Sequence, residues 1–285
     1  MSEQTTISPC CVTGHIHEGT PLGSTEVVHG LSTYVSKPKD AKGGKVNKIV
    51  FISDIFGIYP NAKLLADEWA GQGYEVLIPD LFESGPVSHE LLNTIVPNKR
   101  VQAQATVVSK AADTAKTAAA LGPWLISNRE AVSKPKIEAF VKAVKEDPTT
   151  DKVGAVGFCW GGRYALILAQ EDSPARVDVA IANHPSFLVN ADVEPIRSVP
   201  VAIFKGTEDA MMDEKALDEV EEILKKNLGD QKLLVQRFPG AGTWLTLPSV
   251  HGFTIRGDAE GKERDDKEAA NTAALKFVKQ AFGGV

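Results

Sequence analysis

The 285-residue chain is 43% hydrophobic and 24% charged, enough apolar side chain to bury a core as one large domain. Thirty-one basic against thirty-seven acidic residues give a formal charge of −6, without a basic block long enough to follow a phosphate backbone or an anionic bilayer. Nucleic acid and membrane are therefore not expected partners. The N-terminus has no basic stretch leading into an apolar one, no uninterrupted apolar run reaches about 18 residues, and three cysteines are too few for a disulfide framework. The expectation is a cytosolic protein, monomeric or homodimeric.

Residues 1–24 carry turn formers without a period and read as an N-terminal extension packed on a single domain of residues 25–285. Val27 to Ser36 reads as an antiparallel strand at a sheet edge, followed by a polar turn from Pro38 to Gly44. Asn47 to Ser53 is an apolar run of strand length, Asn61 to Ala70 has helical periodicity, and Tyr74 to Ile78 returns to strand. Ala103 to Leu121 and Lys136 to Lys145 read as helices, Lys152 to Phe158 as a strand, Arg163 to Gln170 as a helix and Val177 to Ala182 as a strand. Val199 to Phe204 and Lys232 to Phe238 read as strands flanking a helix from Asp213 to Asn227, and Asp266 to Ala281 as a terminal helix. Near-continuous apolar strands alternating with helices predict a three-layer α/β domain around a mostly parallel sheet.

In such a sheet, reactive groups gather beyond the carboxyl ends of the strands. Cys159 follows the 152–158 run in the frame Gly157-x-Cys159-x-Gly161, the pattern of a nucleophile elbow with sulfur in place of the usual hydroxyl. The glycines allow a turn too tight for side chains, and the following helix N-terminus favours negative charge. The backbone N–H of Trp160 then supplies one oxyanion donor. Asp209 follows the 199–204 strand, and His251 lies in His251-Gly252-Phe253 before the last helix. Nucleophile, acid, histidine is the chain order of the α/β-hydrolase fold. His184 also follows a strand but precedes the acid, which assigns it to the pocket wall. Cys10, Cys11, His15 and His17 do not have the Cys-x-x-Cys spacing of structural zinc, and no metal or cofactor is expected.

The chain resembles the dienelactone hydrolase family, in particular its fungal members with an N-terminal extension. The matching pieces are Cys11 to Gly23, Asp54-Ile55-Phe56-Gly57, Pro79-Asp80-Leu81-Phe82, Gly157 to Gly162, Gly206 to Asp209 and His251-Gly252-Phe253. The resemblance implies a Cys-His-Asp triad of Cys159, His251 and Asp209 that opens lactones or esters through a thiol ester, with the second oxyanion donor at Ile55. It also implies a thiol-contacting role at Asp54, where the family often has glutamate. The arginine that bacterial members use to hold a substrate carboxylate is replaced by Ser84, which leaves Arg256 as the candidate anion clamp. Ser84 and the long Ala241 to Val250 stretch motivate a second reading, hydrolysis or acyl transfer on polyketide-derived esters, lactones or thioesters. A non-catalytic binding module on the same fold is the third.

Overall fold

The computed structural model describes residues 16–39, 44–88, 121–209, 211–239, 251–257 and 261–284. Eight strands form one sheet: β1 (Ser24–Val28), β2 (Leu31–Ser36), β3 (Val46–Ile52), β4 (Glu75–Pro79), β5 (Thr150–Phe158), β6 (Val179–Asn183), β7 (Val201–Gly206) and β8 (Leu233–Phe238). Their spatial order is β1-β2-β4-β3-β5-β6-β7-β8; β1 and β2 run antiparallel to their neighbours, and the others pair in parallel. The helices are α1 (Pro60–Ala70), α2 (Glu130–Glu146), α3 (Trp160–Ile167), α4 (Asn190–Val193), α5 (Glu214–Leu228), α6 (Phe253–Arg256) and α7 (Lys262–Ala281), with a further helical stretch over 121–127. The three-layer α/β architecture around a mostly parallel sheet that the alternation of runs predicts is the one observed. Among the described residues, no helix is long and apolar enough to cross a membrane.

The central strands are apolar on both faces because helices cover both. β6 and β7 are buried at every position. Helix α5 is the clearest amphipathic case: Leu217, Val220 and Leu224 face the sheet, each burial being worth about 1.5–3 kcal/mol. Its start is fixed by Asp213, whose carboxylate accepts the Ala216 N–H at 2.8 Å.

Several elements differ from the sequence expectation for local reasons. Val27 to Ser36 is a two-strand hairpin instead of one strand, because His29 (φ 47°) and Gly30 (φ 84°) both take positive φ and reverse the chain between Val28 and Leu31. Helix α2 begins at Glu130, before Pro135, and residues 121–127 are also helical. The segment expected as a helix from Ala103 to Leu121 lies outside the described residues except for Leu121.

Residues 16–23 run across α1. The Leu22 N–H donates to Asp67 (2.7 Å), whose other carboxylate oxygen accepts from Tyr34 and Ser36 of β2. His17 donates its backbone N–H to Asn61 (3.0 Å) and bonds through Nε2 to the Gly257 carbonyl (2.9 Å), while Asn61 donates to the Ile255 carbonyl (2.9 Å). The segment thereby ties α1 to α6, the short helix that follows His251.

Candidate active site

The site is built at the carboxyl end of β5. Cys159 sits between β5 and α3 with φ 53° and ψ −114°, a conformation that costs an ordinary residue about 1–3 kcal/mol and persists only where the surroundings enforce it. Those surroundings are glycines. A Cβ on Gly161 would lie 1.9 Å from the Ile52 carbonyl oxygen, and one on Gly157 would lie 2.1 Å from the Gly161 carbonyl oxygen. The turn closes only because both side chains are absent, so α3 starts immediately after the cysteine, three residues earlier than its periodicity suggests.

The Cys159 N–H is held by two acceptors, the Asn183 carbonyl at 3.0 Å and His184 Nδ1 at 3.1 Å. Since Nδ1 accepts, Nε2 carries the hydrogen and donates to Thr254 Oγ1 at 2.8 Å. Burial, reinforced by the nearby His251 and Arg256, pushes the His184 imidazole well below its ordinary range, so it stays neutral in that tautomer. His184 thus holds the backbone N–H of Cys159, where the sequence places it in the pocket wall.

His251 and Asp209 meet in a buried pair. His251 Nδ1 lies 2.9 Å from both Asp209 oxygens, and the Met211 N–H donates to the same carboxylate at 2.8 Å. Burial alone would push the imidazole down. The Asp209 carboxylate and the charge on Cys159 outweigh it and hold His251 well above the ordinary histidine range. His251 Nε2 points toward the elbow and lies 3.2 Å from Ser186 Oγ, which in turn lies 3.3 Å from Cys159 Sγ. Ser186 is not among the residues that the sequence singles out. Its place comes from the turn after β6, where His184 (φ 39°) and Phe187 (φ 61°) are both left-handed and the Ser186 N–H donates to the Cys159 carbonyl at 3.0 Å.

Trp160 is the first residue of α3, so its N–H belongs to the unsatisfied first turn of a helix. Ile55 lies in the turn after β3, buried, with its carbonyl accepting the Val87 N–H at 2.9 Å. Beside it, Asp54 accepts hydrogen bonds from the Phe56 N–H (3.0 Å), the Tyr59 hydroxyl (3.2 Å) and Arg256 Nη1 (2.7 Å). Burial pushes the Asp54 carboxyl up against the opposing pull of Arg256, and charge on Cys159 pushes the same way as burial. Arg256, expected as an anion clamp, is itself only 1% exposed, ion-paired to Asp54 and stacked over the Phe56 ring at 5.3 Å. Ser84 accepts from Asn128 Nδ2 at 3.3 Å. Phe82, Trp124 and Trp160 form an aromatic cluster next to the elbow, with ring centroids 4.9–5.9 Å apart.

Cys159 is 1% exposed, and His251 is equally buried. An open groove of about 1000 Å³ lies at the amino ends of the strands, lined by His29, Lys37, Lys45, Lys48 and Asp147 among others. It is at the wrong end of the sheet for the elbow, and the chemistry assembled around Cys159 outweighs it as a site. Among the described residues no group of three His, Cys, Asp or Glu side chains is arranged to hold a metal ion. Cys10, Cys11, His15 and the Ala241 to Val250 stretch lie outside the described residues. Chemically, the arrangement offers a thiol at a helix N-terminus and an imidazole oriented by a carboxylate.

The sequence profile described as the dienelactone hydrolase family matches residues 31–282. A protein named hydrolase pyvD from Aspergillus violaceofuscus is 28% identical over 275 residues, covering 96% of each chain. Dienlactone hydrolase 1 from Gibberella moniliformis is 30% identical over 251 residues, covering 87% of this chain and 83% of its own. In three dimensions, the crystal structure of a putative dienelactone hydrolase from Klebsiella pneumoniae superposes with a TM-score of 0.61 at 15% identity, covering 86% of this chain and 92% of that one.

Proposed function

Since this chain belongs to the dienelactone hydrolase family, we propose that it opens lactones or esters with Cys159 as nucleophile, His251 as general base and Asp209 as the group that orients His251. The chain is a carboxylic-ester hydrolase acting on small-molecule esters or lactones. What supports the finer mechanism is the hydrogen bond between the His251 and Cys159 side chains, together with the pairing of His251 Nδ1 with the Asp209 carboxylate at 2.9 Å.

At rest the thiol proton sits on His251, which Asp209 and the charge on Cys159 hold well above the ordinary histidine range, and in the first half-reaction the thiolate attacks the carbonyl carbon. The oxygen that becomes negative lies between the N–H groups of Trp160 and Ile55. As the tetrahedral carbon collapses, the C–O bond breaks, the imidazolium protonates the departing alkoxide or enolate, and a thiol ester on Cys159 remains. In the second half-reaction His251 takes a proton from water, hydroxide adds to the thiol ester, and the carboxylic acid leaves as the thiolate is regenerated. The thiolate leaves readily, which favours enol lactones and activated esters and predicts poor turnover of amides.

The engagement of Arg256 by Asp54, together with serine at position 84, favours a substrate without a carboxylate over a dienelactone-type acid. Within the same chemistry, polyketide-derived esters, lactones or thioesters fit that preference, with Phe82, Trp124 and Trp160 as the apolar surface beside the elbow. A panel of aryl esters and enol lactones, each with and without a carboxylate, tests both levels. Cys159→Ala abolishes turnover on every member, and the neutral compounds have the higher kcat/KM. Wild-type rates in the alanine variant refute the nucleophile; a strict requirement for the carboxylate refutes the substrate preference.

A further inference from the structure

His184 is a buried histidine that the mechanism above uses neither as acid nor as base, and it touches both halves of the site. We propose that His184 and Thr254 are positioning residues: their side chains tie the backbone of the nucleophile to the helix that follows His251, and so fix the separation of Cys159 and His251. The inference deepens the proposed mechanism and rests on Cys159 being the nucleophile and His251 its proton partner.

The connection consists of two hydrogen bonds whose directions are forced. A backbone N–H only donates, so His184 Nδ1 accepts from Cys159 at 3.1 Å; in a neutral imidazole Nε2 then carries the hydrogen and donates to Thr254 Oγ1 at 2.8 Å. Neutrality is secured by burial and by His251 and Arg256, the charged groups that face the ring. An imidazolium there would stand 5.0 Å, ring centre to ring centre, from a His251 that is itself protonated at rest. Thr254 follows His251 on α6, a helix held independently by Asn61 at the Ile255 carbonyl and by His17 at the Gly257 carbonyl. His184 is anchored in turn by its own N–H, which donates to the Phe204 carbonyl of β7 at 2.6 Å. A line of short bonds thus runs from the strained elbow to the segment that carries the base.

Packing alone does not account for these two side chains. The Cys159 N–H already has the Asn183 carbonyl as an acceptor at 3.0 Å, so its satisfaction does not require an imidazole. Between Phe158 and Phe253 a hydrocarbon ring would fill the place of His184 without surrendering hydration, whereas a buried imidazole brings two polar nitrogens that must be partnered. What the imidazole adds is reach: an acceptor and a donor on opposite edges of one rigid ring, joining segments far apart in the chain. The Thr254 hydroxyl selects the tautomer that makes this possible. Without it Nε2–H faces hydrocarbon, and the other tautomer sets two donors, Nδ1–H and the Cys159 N–H, against each other.

The test compares Thr254→Val, which keeps the shape and removes the hydroxyl, with Thr254→Ser and Cys159→Ala in the full chain, on a neutral aryl ester. A misplacement of about 1 Å costs on the order of 10²-fold, so the valine variant should lose between about 10-fold and 10²-fold in kcat with KM little changed, and serine should restore most of the loss. The pH profile separates positioning from general stability. Drawing thiolate and imidazolium apart raises the pKa of the thiol and lowers that of the imidazole, so the plateau of kcat/KM against pH narrows from both sides in Thr254→Val; a loss of folded protein lowers the plateau and leaves its limbs in place. Nitrogen NMR of the wild type gives an independent reading, with His184 unprotonated at Nδ1 and protonated at Nε2. A protonated Nδ1 overturns the proposal without recourse to any variant. So does a Thr254→Val enzyme with wild-type kcat and unshifted limbs, or a loss that the serine variant shares in full. Wild-type turnover by Cys159→Ala is a different outcome and overturns the underlying mechanism instead.

Discussion

The ion pair between Asp54 and Arg256 joins the two loops that flank the candidate site, and removing half of it measures how strongly they are joined. Asp54 precedes Ile55, the expected oxyanion donor; Arg256 lies on α6, five residues beyond His251. Both side chains are fully buried, 2.7 Å apart, and Asp54 also accepts from Phe56 and Tyr59. Asp54→Ala leaves a guanidinium in the interior without its counter-charge. Stranding one partner of a buried pair costs about 3–5 kcal/mol. For a chain of this length, with about 2 °C per kcal/mol, the melting temperature should fall by roughly 6–10 °C. Replacing both partners by apolar side chains of similar size is close to neutral in other buried pairs. Asp54→Leu with Arg256→Met should therefore recover most of the loss while lowering turnover. Differential scanning calorimetry of the single and double variants reads both effects. A shift under about 2 °C in Asp54→Ala, or a double variant no more stable than the single, refutes the claim that the pair fastens the loops.

Four further outcomes follow from the geometry. Gly161→Ala places a Cβ 1.9 Å from the Ile52 carbonyl oxygen, a clash between backbone-fixed atoms, and should yield no folded protein by circular dichroism; Gly122→Ala, where nothing lies within 4 Å, should fold and gain about 0.5–1 kcal/mol of helix stability in denaturant titration. Asp209→Asn keeps the shape but offers Nδ1 an amide, and should cost on the order of 10³–10⁴-fold in kcat/KM by selecting the wrong imidazole tautomer, with the melting temperature much less affected. Asp147 is held down to about 2, from an ordinary 3.8, by the Thr149 side chain and N–H and by Lys48. Its depressed value means that its contribution to stability is present above the ordinary carboxylate range and is lost as pH falls toward 2. Asp147→Ala should flatten the acid limb of the stability curve in that window, as followed by thermal melts between pH 5 and pH 2.

The strands and longer helices were legible because each is a run of one periodicity long enough to be buried: Ile49 to Ile52 and Val201 to Phe204 sit in the sheet as their apolar runs predict. What escaped the sequence are features made by single residues in unusual backbone conformations. The hairpin at His29-Gly30 depends on two positive φ values, and a histidine there gives no turn signal. The brief helices α4 and α6 are each four residues long, too short to express a period. In the site, Cys159, Asp209 and His251 could be named because glycine spacing and chain order mark them. Ser186 could not, since its position depends on two left-handed neighbours and a hydrogen bond to a carbonyl 27 residues earlier in the chain. His184 was visible as a strand-end histidine, but which side of the elbow it occupies is decided by the Cys159 N–H. The burial of Arg256 against Asp54 pairs positions 202 residues apart, beyond any local pattern.

The central claim is that the sulfur of Cys159 carries the acyl group during turnover. Rapid acid quench of the enzyme mixed with a neutral aryl ester, followed by peptide mapping in a mass spectrometer, tests it directly. The account predicts a transient mass increase equal to the acyl group on the peptide that contains Cys159, formed with the burst of released phenol and cleaved by hydroxylamine. Steady turnover with that peptide never modified, or an adduct on another side chain, contradicts it.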